Sequence, residues 1–360
     1  MNKLLHILFF IPVIGFGQGP EISSWILNTN GNTNPSFPNY LTNVQDVCYT
    51  STDVYISCTC IPGYDIGPWS QNPNQPANQN FVFKISRNPQ VNTANKTKAP
   101  MGHTGVWING VSVFSAEDGM SYQNQGLWNQ NALYFEGVSF DDCLGHPAPN
   151  GEYHLHVNPT CLYDDSDDQN HSPIIGYAFD NFPIYGAYGY SNVNGTGSIK
   201  RMESSYQLKN ILSRTNGPTL NQYPLGAYIE DHEYVSGSGD LDEYNGRFCI
   251  TPEYPNGIYA YFVTIDANLD PVYPYTPGPY YYGIAQGSGN IGPQSGHHEI
   301  PSNCVPFNGS TSNLIDLSKS FEKKVIFTSD IYGRKIKDIS NQTLIYIYDD
   351  GTVEKNLIIE

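Results

Sequence analysis

Between Asp141 and Asn158 the chain reads DDCLGHPAPNGEYHLHVN, which gathers His146, His154 and His156 in a protein that holds 9 histidines in all. Neutral imidazole is a ligand for zinc and copper, and a site needs at least three protein ligands converging on one point. Side chains two apart on an extended strand share a face, so His154 and His156 present two rings to the same side. The spacing therefore predicts a transition-metal site, copper or zinc, with its catalytic role undecided. His146, across the Asn150-Gly151 turn, is the candidate third ligand. A strict two-residue hairpin would pair position 146 with 155 and turn His146 to the opposite face, whereas Pro147 and Pro149 work against that register and leave the geometry open. His103, in MGHTG, and His171, which opens HSPIIGYAFD, are further candidate ligands, and Tyr153, Glu152 and Asp180 are candidates to orient or complete the shell.

A second reading keeps the histidines structural, hydrogen-bonded to tyrosine hydroxyls or backbone carbonyls. Tyrosine and tryptophan surfaces would then stack on sugar rings, making the chain a recognition or adhesion module for polysaccharide. Two other histidine positions read as bland. His232, between Asp231 and Glu233, is expected at the surface with a raised pKa, and His297-His298-Glu299 sits in a Gly/Ser-rich stretch and reads as solvated.

The elements that must position these residues are short strands. The chain of 360 residues holds 34 Gly, 26 Pro and 28 Tyr with only 14% charged residues, and aromatic runs such as NGVSVF, ALYFEGVSF and AYFVTI alternate as strands do. The fold expected is all-β, a sandwich-like domain with long irregular loops, followed by a small C-terminal β-sandwich module. An echo is visible: PNGEYHLHV at 149–157 and PNGIYAYFV at 255–263 are both a turn feeding a strand, and only the first carries histidines.

Four segments separate. Residues 1–17 join Lys3 to LLHILFFIPVIGF and then to small residues, the pattern of a signal peptide, and no other stretch is long and apolar enough to cross a bilayer. Residues 18–99 are a β-rich part of the main domain, residues 100–305 hold nearly all the histidines, and residues 311–360 become Lys- and Ile-rich with an Asp350-Gly351 hairpin signal. Export by the Sec route to the outer surface or medium is expected, and with it oxidised cysteines. Of the 7 cysteines, Cys143 and Cys161 bracket the histidines and are the pair expected to bond, closing a loop worth about 3 kcal/mol in the chain-entropy model. Chain order suggests Cys48 with Cys58 or Cys60, and Cys249 with Cys304.

The net charge of −17 lies almost wholly before the last fifty residues and disfavours a phosphate backbone as partner. Acidic loops at Asp164-Asp165-Ser166-Asp167-Asp168 and Asp240-Leu241-Asp242-Glu243 are weak candidates for calcium, and Tyr244 stands where an EF-hand needs oxygen. The second reads equally as a turn in which Arg247 pairs a carboxylate. No nucleophile elbow, phosphate-binding glycine loop, HExxH or dinucleotide fingerprint is present in the sequence.

The segments GHTGVWINGV, NALYFEGVSFDDCLGHPAPNGEYHLHVNP, HSPIIGYAFDNFPIYGAYGY and DLDEYNGRFCITPEYPNGIYAYFVT resemble the YHYH domain in order and spacing over about residues 100–285. The resemblance implies an exported protein and carries no defined activity. Here the name motif reads Tyr153-His154-Leu155-His156, and its second copy reads Tyr259-Ala260-Tyr261-Phe262. The last 45 or so residues, with IYGRK, LIYIY and a Lys-containing final strand, resemble the C-terminal sorting domain of type IX secretion. That likeness implies secretion machinery as a partner.

Overall fold

The computed structural model describes residues 18–287, 289–291 and 295–309, together with the backbone of the strands Val325–Ser329, Gln342–Tyr348 and Val353–Ile358. The signal-peptide segment lies outside the described residues. The chain divides into two compact units, Met1–Gly309 and Ser310–Glu360.

In the first unit, strands β1 (Val44–Tyr49), β2 (Asp53–Cys58) and β3 (Phe81–Ser86) form an antiparallel sheet, with Val305–Pro306 on its outer edge beside β1. Along β2 and β3 burial alternates, sending Val54, Ile56, Phe81, Phe83 and Ile85 inward. Period-two burial is what a sheet with one covered face requires.

The second sheet has eight strands and carries the histidines. Its members are β4 (His103–Trp107), β5 (Ser112–Phe114), β6 (Gly145–Pro147), β7 (Tyr153–Leu155), β8 (Ile174–Ala178), β9 (Pro183–Tyr185), β10 (Gly246–Cys249) and β11 (Ile258–Phe262), in the spatial order β10-β11-β9-β8-β4-β5-β7-β6. Central strands β4 and β8 are buried at every position, as strands covered on both faces must be. Side chains of both sheets, among them Ile56, Phe83, Trp107, Tyr153, Tyr177 and Phe262, share one buried cluster. Each such side chain contributes on the order of 1.5–3 kcal/mol of transfer free energy. The fold is thus all-β and sandwich-like, with long loops.

A pseudo-two-fold relates the two halves of the large sheet. At its centre Gly105 faces Ala178, Val106 faces Tyr177 and Trp107 faces Gly176, a register that maps onto itself when 105–107 and 176–178 are exchanged. The turns that follow match: Gly110 (φ +78°) donates to Trp107 O at 2.8 Å, and Asn181 (φ +76°) donates to Ala178 O at 2.8 Å. Outward, β7 joins β5 in parallel and β11 joins β9 in parallel.

The outer hairpins, β6 with β7 and β10 with β11, then close by one device. Asp141 Oδ1 accepts from the backbone of Cys143 and Gly145, and from Tyr153 Oη at 3.1 Å. Asp242 Oδ1 accepts from the backbone of Tyr244 and Gly246, and from Tyr259 Oη at 2.8 Å. Leu144 and Asn245, at φ +64° and +65°, occupy the same place in each turn. Both glycines are obligatory, because a Cβ at Gly145 or Gly246 would run into the tyrosine hydroxyl. The echo read from the sequence is one repeat of a larger duplication.

Two disulfides form, Cys143–Cys161 and Cys48–Cys304. The pairings suggested by chain order for Cys48 and Cys249 are corrected accordingly. Cys58, Cys60 and Cys249 are buried and free, whereas Cys48 lies half-buried on β1 opposite Pro306, two residues beyond its partner Cys304. In the second unit, the described strands pair antiparallel in the order Val325–Ser329, Gln342–Tyr348, Val353–Ile358. The Asp350-Gly351 turn lies outside the described residues. No helix among the described residues is long and apolar enough to cross a membrane.

Candidate metal centre

His146 on β6 is the direct cross-strand partner of His154 on β7. Direct antiparallel partners face the same side, so His146 joins His154 and His156 on one face. The loop reaches this register because Gly151 takes φ +81° and donates to Ala148 O, while Ala148 donates to Glu152 O. Phe114 stacks on His154 at 3.8 Å between centroids, and Phe140 meets His146 edge-on at 4.9 Å. The three ring atoms Nε2 converge, 3.0 Å between His146 and His154 and 3.1 Å between His154 and His156. Among the described residues, these three form the group whose ligand atoms all lie within 4.8 Å of one another.

The other nitrogen of each ring fixes its tautomer. His154 Nδ1 donates to Glu152 O at 3.0 Å and His156 Nδ1 to Ser115 O at 2.5 Å. A carbonyl cannot donate back, so these Nδ1 atoms carry the protons. Ser139 Oγ spends its hydrogen on Glu136 O at 2.7 Å and therefore accepts from His146 Nδ1 at 2.7 Å. In their neutral forms all three Nε2 atoms expose lone pairs to one another. Such contacts repel unless a cation lies among them.

Burial favours the neutral forms of His146 and His154. It is the first cause lowering His146 to about 4, with the charge of neighbouring His156 second. Burial, then His156 and His146, drives His154 well below the ordinary histidine value. These are rings kept ready to ligate.

Sequence reasoning missed one acid. Glu136 ends the short helix Ala132–Glu136, capped by the Asn131 side chain, and its Oε2 lies 3.2 Å from His156 Nε2 and 3.7 Å from His146 Nε2. Burial pushes its carboxyl up, but a proton on His156 Nε2 supplies a hydrogen bond and a charge that outweigh burial and leave the acid lowered, whereas a neutral His156 turns a lone pair toward it. The run ALYFEGVSF reads by alternation as a strand, which hides the acid. The Asn131 cap was the available signal for a helix.

The remaining candidates lie elsewhere. His103 is not with the triad; its Nε2 meets Glu152 Oε1 at 2.5 Å and its Nδ1 lies 3.3 Å from Ser295 Oγ. Glu152 therefore serves the centre through its carbonyl, which holds His154, and not through its carboxylate. Tyr153 points to the opposite face and latches Asp141. His171 belongs to the other half, where its Nδ1 donates to Ser172 O at 2.7 Å. Asp180 also lies there, accepting from Tyr261 Oη and Gly283 N, and burial raises it to about 6.

Three bland readings change as well. His232 is half-buried and stacked on Tyr273 at 4.0 Å, and burial lowers its pKa instead of nearby acids raising it. His298 is half-buried and bonds Asn290 Oδ1 at 2.9 Å, while His297 is exposed. Arg247 gives its guanidinium to Tyr190 O and the Phe262 ring, not to a carboxylate. Asp242 in the acidic loop is the turn latch described above.

A model of the YHYH protein family matches residues 82–273, more than half of the chain. No curated protein and no solved structure matches it. The matched span contains both halves of the large sheet up to β11, with the histidine triad inside it. The chain belongs to the YHYH protein family.

Proposed function

We propose that this is an exported metal-binding protein whose His146, His154 and His156 hold one transition-metal ion, copper or zinc. The observation that carries the reading is the tautomer set: three Nδ1 protons are engaged, so the Nε2 lone pair of His154 meets those of His146 and His156 at 3.0 and 3.1 Å. A tetrahedral ion about 2.1 Å from each nitrogen needs neighbouring nitrogens about 3.4 Å apart, a small opening of the two contacts at His154. Neutral imidazoles held by carbonyls and a hydroxyl are the support such ligands require. Two disulfides in a sheet protein, the Lys3-led apolar leader and the type IX-like C-terminal module support an exported location. Several of the tyrosines that suggested a sugar-stacking surface instead fill the interior, Tyr153, Tyr177, Tyr185, Tyr259 and Tyr261 among them.

Metal analysis of protein purified without a polyhistidine tag tests the reading. About one equivalent of copper or zinc per chain is expected, retained on dialysis and lost in a His154→Ala/His156→Ala double variant. A wild-type protein that takes up neither metal on titration overturns it.

A further inference from the structure

We infer that Glu136 is the fourth ligand of this centre, displaceable, and that it selects small neutral donors over anions as the outside ligands reaching the metal. The inference rests on the metal-site reading above. Glu136 Oε2 stands 3.2 Å from His156 Nε2 and 3.7 Å from His146 Nε2. Ligand atoms around a four-coordinate ion with bonds of about 2.1 Å are spaced by about 3.4 Å, so the carboxylate already lies at the distance of a fourth donor.

Its exposure sets its second role. The side chains of His146 and His156 are 5% and 3% exposed, whereas that of Glu136 is 29% exposed. The acid thus stands between the triad and solvent, and a ligand coming from outside must move it. Its carriage suits that motion. The helix is five residues long and Glu136 is its last residue, tied at the backbone by Ser139 Oγ and held at its carboxylate by the groups of the centre itself. Beside it Asp118, on the strand Glu117–Ser121, feels its charge. Lys98, which reaches that strand, is committed to Glu117 at 2.6 Å. An entrance lined by two carboxylates repels anions and admits neutral molecules.

Cobalt(II) titration of the full chain, read by visible absorption, tests this with wild type, Glu136→Gln and Glu136→Asp, and with imidazole and azide as probe ligands. Wild type is expected to bind cobalt in a tetrahedral spectrum and to take imidazole at least tenfold more tightly than azide. Glu136→Gln should shift that spectrum, weaken cobalt binding tenfold or more, and tighten azide binding toward that of imidazole. Glu136→Asp, charged but one methylene shorter, should fall between. Wild type that binds cobalt, with both variants giving its spectrum and azide affinity unchanged, overturns the role of Glu136 alone. Wild type that binds no cobalt overturns the metal centre and its fourth ligand together.

Discussion

At the place of His146 the second half of the large sheet carries Arg247, at that of His154 it carries Ala260, and at that of His156 it carries Phe262. Around these differences the frame is repeated: Asp141 and Asp242 each latch a tyrosine and two backbone amides, and Leu144 and Asn245 each turn the chain through a left-handed residue. The second hairpin builds the same turn with no imidazole. Histidines are therefore not what this turn needs to form, and a purely structural account of the three loses its main support. Arg247 Nε and His171 Nε2 are buried there without partners, whereas in the first half each triad Nδ1 is satisfied.

The contrast yields measurable consequences. The largest concerns affinity: His154→Ala gives the first half the residue that the second half has at this position, Ala260. It removes the ring that touches both other histidines, and metal binding by calorimetry should fall at least 100-fold. Ala260→Gly, in the other half, should leave it unchanged. If both variants bind alike, the two halves do not differ in the way described.

Next in size is the pH response. His146 has its folded pKa lowered from 6.5 to about 4. In that window the unfolded chain takes a proton that the folded chain refuses, so metal-free stability is full above pH 6.5 and falls as the pH drops toward 4. The loss attached to His146 is on the order of 3 kcal/mol. Denaturant titrations of metal-free protein at pH 7 and pH 4.5 should show it, and His146→Gln should flatten the slope.

The Cys143–Cys161 bond closes a separation of 18 residues beside the triad, and Tyr244 holds the place of Cys143 in the second turn. A Cys143→Ala/Cys161→Ala variant should lose about 3 kcal/mol by the chain-entropy model. Thermal unfolding checks this, and an unchanged midpoint would show the staple to be dispensable.

The smallest contrast lies in the latches. Asp141 also accepts from Gly67 N and Trp69 Nε1, donors for which Asp242 has no counterpart. Tyr259→Phe should thus cost about 1–3 kcal/mol, and Tyr153→Phe less. The reverse order in chemical denaturation would contradict the accounting of donors.

Much of this was legible in the sequence. His154 and His156 share a face by strand period alone, and Cys143 and Cys161 announce their bond by bracketing them. The place of His146 needed the loop geometry, because one residue of register decides its face and Gly151 sets that register. Glu136 was hidden by an aromatic run whose alternation imitates a strand. The duplication showed itself through PNG and tyrosine, but the matching of Gly105 with Gly176 rests on backbone hydrogen bonds that composition does not record. Cys48–Cys304 was invisible because its partners are 256 positions apart.

That last bond gives the body a mechanical property. Cys304 lies five positions before Gly309, where the first unit ends, and it is fastened covalently to Cys48, next to Val305–Pro306 on the edge of β1. A pull applied through the C-terminal segment passes from residue 304 straight to residue 48. Everything between, both halves of the large sheet and the triad with them, sits inside a covalent ring that carries no tension. A tug on the tail can strip the chain before Cys48 and the edge strand after Cys304, but it cannot unzip the hairpin that holds the histidines.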